Sequence, residues 1–300
     1  MPRRRITFRQ LETFAAVSRL NSFTKAADAL HLTQPAVSIQ IKQIADTIGL
    51  PLFEQTGREI ALSPAGEELI KTVRSLDDVW NRFEAAIEEL KGLKRGKLRI
   101  ALVTTAKYFL PRMLGAFCKR YPEIDIELEI ANRENILRRL RSNQDDLYVM
   151  SYPPDDLDIV RLPFLDNEYV VVAPTYHWAV GKQLSLQDLI TEPFLLRELG
   201  SGSRHVVDLH MSKTSTQLKV RLALASNEAI RDLVASGMGL SVLSRHALGD
   251  DIEHYGLAIL DVEGFPLKQA WNVVHLSNKI LSIPTQAFLD ELLSQGNIEK

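Results

Sequence analysis

The sequence predicts a composite of α-helical and α/β structure: a small helical domain at the amino terminus, one long helix, and a larger α/β region. Three observations predict it. Short apolar stretches of helical period fill the first sixty residues, apolar side chains then recur three or four apart across 65–93, and strands and helices alternate beyond. Three hundred residues exceed what one hydrophobic core normally organises, so two or three folding units are expected.

The first two helices are short and closely spaced. Apolar residues of roughly helical period end at Asn21, and Ser22 or Thr24 opens the second helix, which is predicted over 25–30. This second helix is rich in small residues such as Ala26, so a neighbouring helix can approach it closely.

A third helix is predicted from Thr33, a good N-cap, to about Ile48, with Pro35 in the first turn where its missing N–H costs nothing. Its inward stripe consists of Val37, Ile41 and Ile44. Its other positions are polar and mostly uncharged: Gln34, Ser38, Gln40, Lys42 and Gln43. Amide and hydroxyl groups suit a helix that reads bases in the major groove, because Gln pairs with adenine in a bidentate manner. A merely solvated helix face is the alternative.

Two short strands are predicted after this helix. Gly49-Leu50-Pro51 ends the helix, and 52–62 reads as a pair of strands around a turn that contains Gly57. Such a pair forms a wing beside a helix-turn-helix. Arg58 at its tip is expected to reach a backbone phosphate or the minor groove.

The charge distribution agrees with a DNA-binding head. The net charge is −2 overall, but residues up to 62 carry eight Lys or Arg against five Asp or Glu, which leaves +3 there and −5 on the remainder. No stretch is as long and apolar as a membrane span, and the basic start is not followed by the apolar run of a signal peptide. A cytoplasmic protein without a membrane partner is therefore expected. The single cysteine, Cys118, is interpreted as a core residue.

The α/β region begins after a polar hinge at 94–97. Its first set of elements comprises strand 98–103, helix 109–120, strand 125–130, helix 135–141 and strand 146–150. Its second set comprises 168–173, 218–224, 227–235 and 240–243. This alternation is typical of an α/β domain with a mainly parallel sheet.

Candidate ligand-binding residues follow the predicted strands. Ligands of open α/β sheets gather outside the carboxyl ends of strands, where helix N-termini offer free N–H groups. The candidates there are Thr104, Thr105, Lys107, Asn132, Arg133, Ser201, Ser203, Arg204 and Asn227. Their hydroxyls, amides and cations suit an anionic metabolite that carries phosphate or carboxylate. The alternative is that these positions only cap helices.

Several ordered blocks resemble the LysR-type transcriptional regulators. They are Phe8–Phe14, Ser22–Ala27, Thr33–Ser38, Leu52–Glu54 and Ser63–Gly66. The resemblance implies that Thr33, Gln34, Pro35, Ser38, Gln40, Lys42 and Arg58 contact double-stranded DNA. It also implies that a linker helix pairs two subunits, and a stripe over 65–93 fits that role: Leu69, Val73, Leu76, Trp80, Phe83, Ile87 and Leu90. Further contacts between effector domains would make a dimer of dimers.

The resemblance implies a domain plan as well. A winged helix-turn-helix would occupy 1–62, a linker helix with its hinge 63–96, and an effector domain similar to periplasmic binding proteins 97–300. That domain would have two lobes around a cleft. Lobe I would comprise 97–164 and 269–300, since the chain returns near Ala270, and lobe II would comprise 165–268.

A narrower resemblance points to the branch of CbbR-type regulators of carbon-dioxide-fixation operons. It is carried by Thr105–Pro111, Asn132-Arg133, Asp145–Met150 and Gly200–Arg204. The implied function is control of carbon-fixation or related central-metabolism genes in response to a phosphorylated or carboxylated metabolite, without a cofactor. Genes for nitrogen or inorganic-carbon uptake are the alternative targets.

Two other functional classes, an enzyme and a transport binding protein, have less support from the sequence. An enzyme lacks support, because Gly200-x-Gly202 has no third glycine of a dinucleotide fingerprint and no phosphate loop of the Walker type occurs. His205 and His210 have no evident carboxylate or cysteine partner, so a metal pair is disfavoured. A transport binding protein is opposed by the missing signal peptide and the added basic head.

Overall fold

A computed structural model describes residues 6–56, 59–90, 95–214, 216–249 and 251–296. The chain divides into two compact units. The first comprises the described residues up to 83 together with 142–144, and the second comprises the rest.

The first unit contains three short helices, a two-stranded sheet and most of a long helix. Its elements are α1 (Phe8–Leu20), α2 (Phe23–Ala29), α3 (Gln34–Ile48), β1 (Phe53–Thr56), β2 (Glu59–Leu62) and α4 (Pro64–Leu90), the last of which continues into the second unit. Helix, tight turn, helix and antiparallel strand pair form a winged helix-turn-helix, as the sequence predicts.

The short helices begin where polar side chains cap them. Thr7 and Gln10 form a capping box at the start of α1, and Ser22 accepts the N–H of Lys25 at the start of α2. Of the two residues predicted to open α2, Ser22 is therefore the cap and Thr24 lies inside the helix. Ala26 and Ala27 are buried, which agrees with a close approach of neighbouring helices.

The core of the first unit is built around α3. Val37, Ile41 and Ile44 are buried as predicted, together with Phe14 of α1. The start of α4 packs tightly against the wing: a Cβ at Gly66 would lie 2.1 Å from the carbonyl oxygen of Leu52, so only glycine fits there. Gly57 and Arg58, at the predicted wing tip, lie outside the described residues.

The second unit alternates strands with helices. Its first elements are β3 (Gly96–Val103), α5 (Leu110–Arg120), β4 (Ile124–Ala131), α6 (Arg133–Arg141), β5 (Leu147–Met150) and β6 (Ile159–Pro174). The next are β7 (Gln183–Leu184), β8 (Pro193–Arg197), α7 (Gly202–Thr214), β9 (Lys219–Leu224), α8 (Asn227–Ala235) and β10 (Ser241–Ser244). The last are β11 (Leu257–Ile259), β12 (Asp261–Val262), β13 (Leu267–Leu276) and α9 (Ile283–Gly296). Short 3-10 helices occupy Thr104–Tyr108, Leu186–Leu189 and Arg245–Ala247.

The main sheet is mixed rather than mainly parallel. Its order is β10-β6-β13-β5-β3-β4, with β11 also paired to β6. β3 is parallel to both β4 and β5, whereas β13 is antiparallel to β5 and to β6. The expectation of a mainly parallel sheet is wrong for this central part, because β13 brings the chain back between β5 and β6 in the opposite direction.

Two lobes share the long strands β6 and β13. We call lobe I the part formed by β3, β4, β5, α5, α6 and α9, and lobe II the part formed by β7 to β12, α7 and α8. Phe164 and Trp271 lie in the core of lobe I, while Tyr169 and Leu267 lie in that of lobe II. β6 and β13 therefore each run from one core into the other, and these two strands connect the lobes.

Each lobe contains a pair of adjacent parallel strands. β3 and β4 are neighbours in lobe I, and β8 and β9 pair in lobe II. Each of these four strands is followed directly by a turn into a helix. Their carboxyl ends are the places where candidate ligand-binding residues are predicted.

Candidate DNA-binding surface and inter-lobe cavity

The amino-terminal end of α3 presents polar groups to solvent. Thr33 caps the helix by accepting the N–H of Ala36, and Pro35 is exposed in the first turn. Gln34 is exposed, and its Nε2 donates to Oγ of the half-buried Ser38 at 3.0 Å. Gln34 and Ser38 thus lie side by side, each with hydrogen-bonding capacity left for an external partner.

The other polar residues of α3 differ in their environment. Gln40 is half-buried, and its Oε1 accepts a hydrogen bond from the buried Thr13 at 2.8 Å. Gln43 accepts one from Gln10 at 2.9 Å, whereas Lys42 is exposed. Gln40 therefore ties α3 to α1 with one end of its amide and has only the other end available outside.

The outward face of α3 also carries an apolar side chain that the sequence analysis did not single out. Ile39 is 57% exposed on a helix whose other large aliphatic residues near its centre are buried. An exposed apolar group on a recognition helix suits contact with the methyl group of thymine. The signal for it was available, because Ile39 breaks the spacing of Val37, Ile41 and Ile44.

The predicted ligand-binding residues all follow the strands β3, β4, β8 and β9. Thr104, Thr105 and Lys107 come after β3, and Asn132 and Arg133 after β4. Ser201, Ser203 and Arg204 come after β8, and Asn227 after β9. The two lobes thus contribute two strand ends each.

Six of these nine residues line one small cavity between the lobes, which we call the inner cavity. The six are Thr104, Thr105, Asn132, Arg133, Ser201 and Ser203. Other lining residues are not predicted from the sequence, among them Ser151, Tyr169, Arg197 and Trp271. The cavity volume is only about 10 Å³, close to the minimum that one water molecule needs.

Arg197, the last residue of β8, is the most buried cation of this cavity, with 3% of its surface exposed. Its Nε and one terminal nitrogen donate to the two carboxylate oxygens of Glu198 at 2.8 and 3.0 Å. The other terminal nitrogen donates to Oδ1 of Asn227 at 2.9 Å. Asn227 thus does not line the cavity but holds one of its walls in place.

Two buried donors near this arginine have no hydrogen-bond partner within the described part of the chain: Nε1 of Trp271, which lines the cavity, and Nδ2 of Asn227. Elsewhere in the cavity lining, the hydroxyls of Tyr169 and Ser151 bond each other at 2.9 Å. Burial raises the pKa of Tyr169, so its hydroxyl keeps its proton at neutral pH. The cavity is therefore rich in donors, which favours an acceptor-rich ligand.

Arg133 adds a second cation to the same cavity. Its Nε donates to the carbonyl oxygen of Tyr152 at 3.2 Å, and its guanidinium lies 5.6 Å from the centre of that ring. Burial, and then the charge of Arg141, lower its pKa below the usual value, although Tyr152 and Asp156 act in the opposite direction. Arg133 is therefore a cation whose surroundings do not fully compensate its charge.

Arg133 also lines a wider outer pocket of about 340 Å³ that Ser201 shares with it. Arg204 lies there rather than in the inner cavity. Its Nε donates to both carboxylate oxygens of Asp208, at 2.8 and 3.0 Å, and a terminal nitrogen donates to the carbonyl oxygen of Arg197.

Lys107 likewise lies outside the inner cavity. Its Nζ is 2.9 Å from Oε1 of Glu228 on α8, in lobe II. The hydroxyl of Tyr108 donates to the same oxygen at 2.8 Å. The structure thus pairs Lys107 with a carboxylate of its own chain, a partner that sequence spacing could not indicate.

The alternative role as helix caps is also present. Oγ of Ser201 accepts the N–H of Arg204 at 3.1 Å at the start of α7, and Oδ1 of Asn132 accepts the N–H of Asn135 at 3.0 Å at the start of α6. Capping and cavity lining coexist in these residues, because the helices begin at the cavity wall. Among the residues that the structure describes, no cluster of His, Cys, Asp or Glu is suited to a metal ion.

The middle of α4 exposes large apolar side chains along one side. Leu76, Val79, Trp80 and Phe83 are between 38% and 54% exposed, and the rings of Trp80 and Phe83 lie 5.5 Å apart. Val73 of the predicted stripe is buried instead, in the core of the first unit. None of the described helices is both long and apolar enough to cross a membrane.

Comparison with known families covers almost the whole chain. Residues 8–67 match the family described as bacterial regulatory helix-turn-helix protein, lysR family, and residues 91–297 match the LysR substrate binding domain. The HTH-type transcriptional activator CmpR of Synechocystis sp. is 45% identical over 96% of this chain and 95% of its own length. A RuBisCO operon transcriptional regulator of Acidithiobacillus ferrooxidans is 43% identical over 97% of this chain and 94% of its own.

A solved structure resembles the second unit. The regulatory domain of CcmR from Synechocystis, in complex with 2-PG, superposes with a TM-score of 0.64 at 45% identity. The match covers 66% of this chain and 96% of that domain.

Proposed function

The chain belongs to the LysR family of transcriptional regulators, and we propose that it controls a carbon-fixation operon in response to a small anionic metabolite. Relatives at 43% and 40% identity over nearly the full chain are RuBisCO operon transcriptional regulators, which supports this target. The observation that carries the sensing role is the convergence of strand ends from both lobes on one donor-rich cavity: those of β3, β4 and β5 in lobe I and that of β8 in lobe II.

For DNA recognition we propose that α3 lies in the major groove, with Gln34 and Ser38 on base edges. The exposure of Gln34 and the position of the half-buried Ser38 beside it, at the first turns of the helix, support this assignment. Thr33 and Pro35 would orient the start of α3 relative to the DNA, and Lys42 would contact a phosphate. Gln40 would reach DNA only through the amide end that Thr13 does not engage. The proposed contact of Arg58 with the backbone falls outside the described residues.

For the effector we propose an anion that carries phosphate or carboxylate, held between the lobes. Hydroxyls of Thr105 and Ser203 and the cations Arg197 and Arg133 would bind its charged group, since charge-assisted hydrogen bonds are the strongest that these side chains make. Thr104, Asn132 and Ser201 would complete the wall. Arg204 would act from the outer pocket and Asn227 through Arg197, while Lys107 would act on the site indirectly, through its ion pair with Glu228.

The small volume of the inner cavity supports a site whose two lobes move relative to each other. A cavity of about 10 Å³ cannot hold a phosphorylated metabolite, so the lobes must separate before such a ligand enters. A ligand that contacts both lobes then biases their relative angle, to the extent that it binds one arrangement better. We take 97–164 with 269–300 and 165–268 as the proposed boundaries of the two moving parts.

For assembly we propose a homodimer through α4, extended to a dimer of dimers. A stripe of four exposed apolar side chains on one helix is what a paired helix requires. Trp80→Glu should therefore lower the mass measured by light scattering at micromolar concentration, while Arg82→Glu, on the same helix, serves as the control. An unchanged mass for Trp80→Glu would contradict the proposal.

The proposed function is tested with full-length protein, 2-PG and a duplex that covers a RuBisCO operon promoter. We expect anisotropy titrations to give an affinity for this duplex at least 1,000-fold above that for a scrambled duplex, within the usual range of specific binding. We further expect 2-PG to change the promoter affinity or the footprint, and inorganic phosphate to do so only weakly. Equal affinity for both duplexes would refute the target, and no response to 2-PG would refute this effector.

A further inference from the structure

Beside the inner cavity, the carboxylate of Glu228 in lobe II is bound by two residues of lobe I. Oε1 of Glu228 receives the hydroxyl of Tyr108 at 2.8 Å and lies 2.9 Å from Nζ of Lys107. Its other oxygen receives the hydroxyl of Ser226, the cap of α8, at 2.7 Å. Ser226 fixes the carboxylate on its own lobe, so that Lys107 and Tyr108 meet it in a defined position.

A second contact joins the lobes at the other pair of strand ends. The backbone N–H of Glu134, in the first turn of α6, donates to the carbonyl oxygen of Gly200 at 3.0 Å. Gly200 has a φ of +85°, and a Cβ there would lie 2.7 Å from Oε2 of Glu134. Glycine at position 200 therefore permits an approach that other residues would obstruct, and the Glu134 amide reports directly whether the lobes are together.

We propose that Glu228, clasped by Lys107 and Tyr108, is a latch that holds the two lobes together and sets how often they separate to admit the ligand. The proposal rests on the proposed ligand site between the lobes. The three latch residues lie at strand ends that flank the inner cavity, but none of them lines it. They are therefore placed to connect the lobes without contacting the ligand. The latch therefore acts on the lobes and not on the ligand.

Glu228 stays ionised and Tyr108 stays protonated throughout the physiological range. Burial raises the pKa of Glu228, but hydrogen bonds from Lys107 and Ser226 outweigh it and bring the pKa to about 2. Burial and the bond to Glu228 raise the pKa of Tyr108 to about 12. Neither group titrates near neutral pH, so small changes in pH leave the latch in place.

The latch has a kinetic signature that a ligand contact lacks. A contact that stabilises the joined lobes equally with and without ligand leaves the equilibrium affinity unchanged, because both sides of the binding equilibrium shift together. Removing it raises the fraction of open protein, which accelerates association and dissociation by similar factors. Loss of a direct ligand contact instead accelerates dissociation alone.

The first test needs no ligand. Hydrogen–deuterium exchange is measured on the full-length protein at the Glu134 amide, for the parent, Glu228→Gln and Lys107→Met. We expect exchange to be roughly three- to ten-fold faster in each variant, since a partly exposed ion pair and one hydroxyl contact are modest in strength. Amides of β3 at 100–102 serve as the internal control and should not change.

The double variant Glu228→Gln with Lys107→Met separates the latch from a local effect on α8. Lys107→Met leaves α8 untouched, so a shared acceleration in both single variants reports their mutual contact. In the double variant exchange should be no faster than in the faster single variant. Exchange that is unchanged in the single variants, or strictly multiplicative in the double variant, would overturn the latch.

The second test uses 2-PG in stopped-flow binding to the same proteins. We expect association and dissociation rates to rise together, with an affinity within about two-fold of the parent. A faster dissociation alone would make Lys107 a ligand contact and overturn the latch. Faster exchange at Glu134 together with no 2-PG binding would support the latch and overturn the proposed effector, so the two failures are distinguishable.

Discussion

The exposed face of α3 and the wall of the inner cavity use the same polar side chains in opposite environments. On α3, the exposed Gln34 donates a hydrogen bond to the half-buried Ser38. In the cavity, Ser203 and Arg197 are 3% exposed, and the indole N–H of Trp271 lacks a partner within the described residues. The first surface is one continuous stretch of helix, whereas the second is assembled from strand ends of both lobes.

This difference in burial determines how much a polar side chain contributes to the binding free energy in each region. An exposed amide exchanges water for a base edge, so its contribution is selective and modest. A buried cation has already lost its water, so removal of its partners is costly and its geometry is fixed before the ligand arrives. We therefore expect substitutions in the cavity to have larger effects than those on α3.

The largest effect is expected for Arg197→Ala. Truncating one member of a buried, hydrogen-bonded charge pair costs about 2 to 5 kcal/mol, which corresponds to roughly 30-fold or more in Kd for 2-PG by calorimetry. Arg197→Lys keeps the charge but loses the forked geometry, so it should also weaken binding while disturbing the fold less. Arg204→Ala, in the outer pocket, should cost less than either variant. An affinity for 2-PG equal to that of the parent in both Arg197 variants would contradict the larger effect that we expect for substitutions in the cavity.

A smaller and more selective effect is expected for Gln34→Ala. It should remove about 1 to 3 kcal/mol of discrimination at one base pair and leave the melting temperature unchanged, because Gln34 is exposed. Gln40→Ala is the matched variant on the same helix. It should lower the melting temperature as well, since it breaks the bond to the buried Thr13. Base-substituted duplexes in anisotropy titrations would reveal an unselective loss for Gln34→Ala, which would contradict its role.

The smallest effect is expected for Lys42→Ala. A phosphate contact carries no sequence information, so promoter and scrambled duplexes should weaken alike. The slope of log K against log salt should become shallower by about 0.9, the value for one neutralised phosphate. A weakening confined to the promoter would instead place Lys42 on a base edge.

The helical head was predictable because its signals are local. Val37, Ile41 and Ile44 are buried as their spacing predicts, and Thr33 caps α3 through its own side chain. The mixed sheet was not predictable in the same way. Strand β13 pairs with β5 and β6 in an antiparallel manner after a long excursion through lobe II, and no local pattern encodes that direction.

The cavity was predictable only in part, for the same reason. Rules about strand ends located six lining residues, because each residue lies between the end of a strand and the first turn of the helix that follows it. Arg197 and Trp271 were missed, since one ends an apolar run that was not predicted as a strand and the other lies in a long apolar strand typical of a core. The partner of Lys107 was out of reach, because Glu228 is joined to the same loop across about 120 residues of sequence.

The central claim is that one anion is bound by strand ends of both lobes, and a crystal structure of the full-length chain with 2-PG tests it most directly. We expect oxygen atoms of 2-PG within about 3 Å of Thr105, Ser203 and Arg197. We also expect the indole N–H of Trp271 or the amide of Asn227 to have gained a partner. Density for 2-PG against one lobe alone, or away from these side chains, would contradict the account.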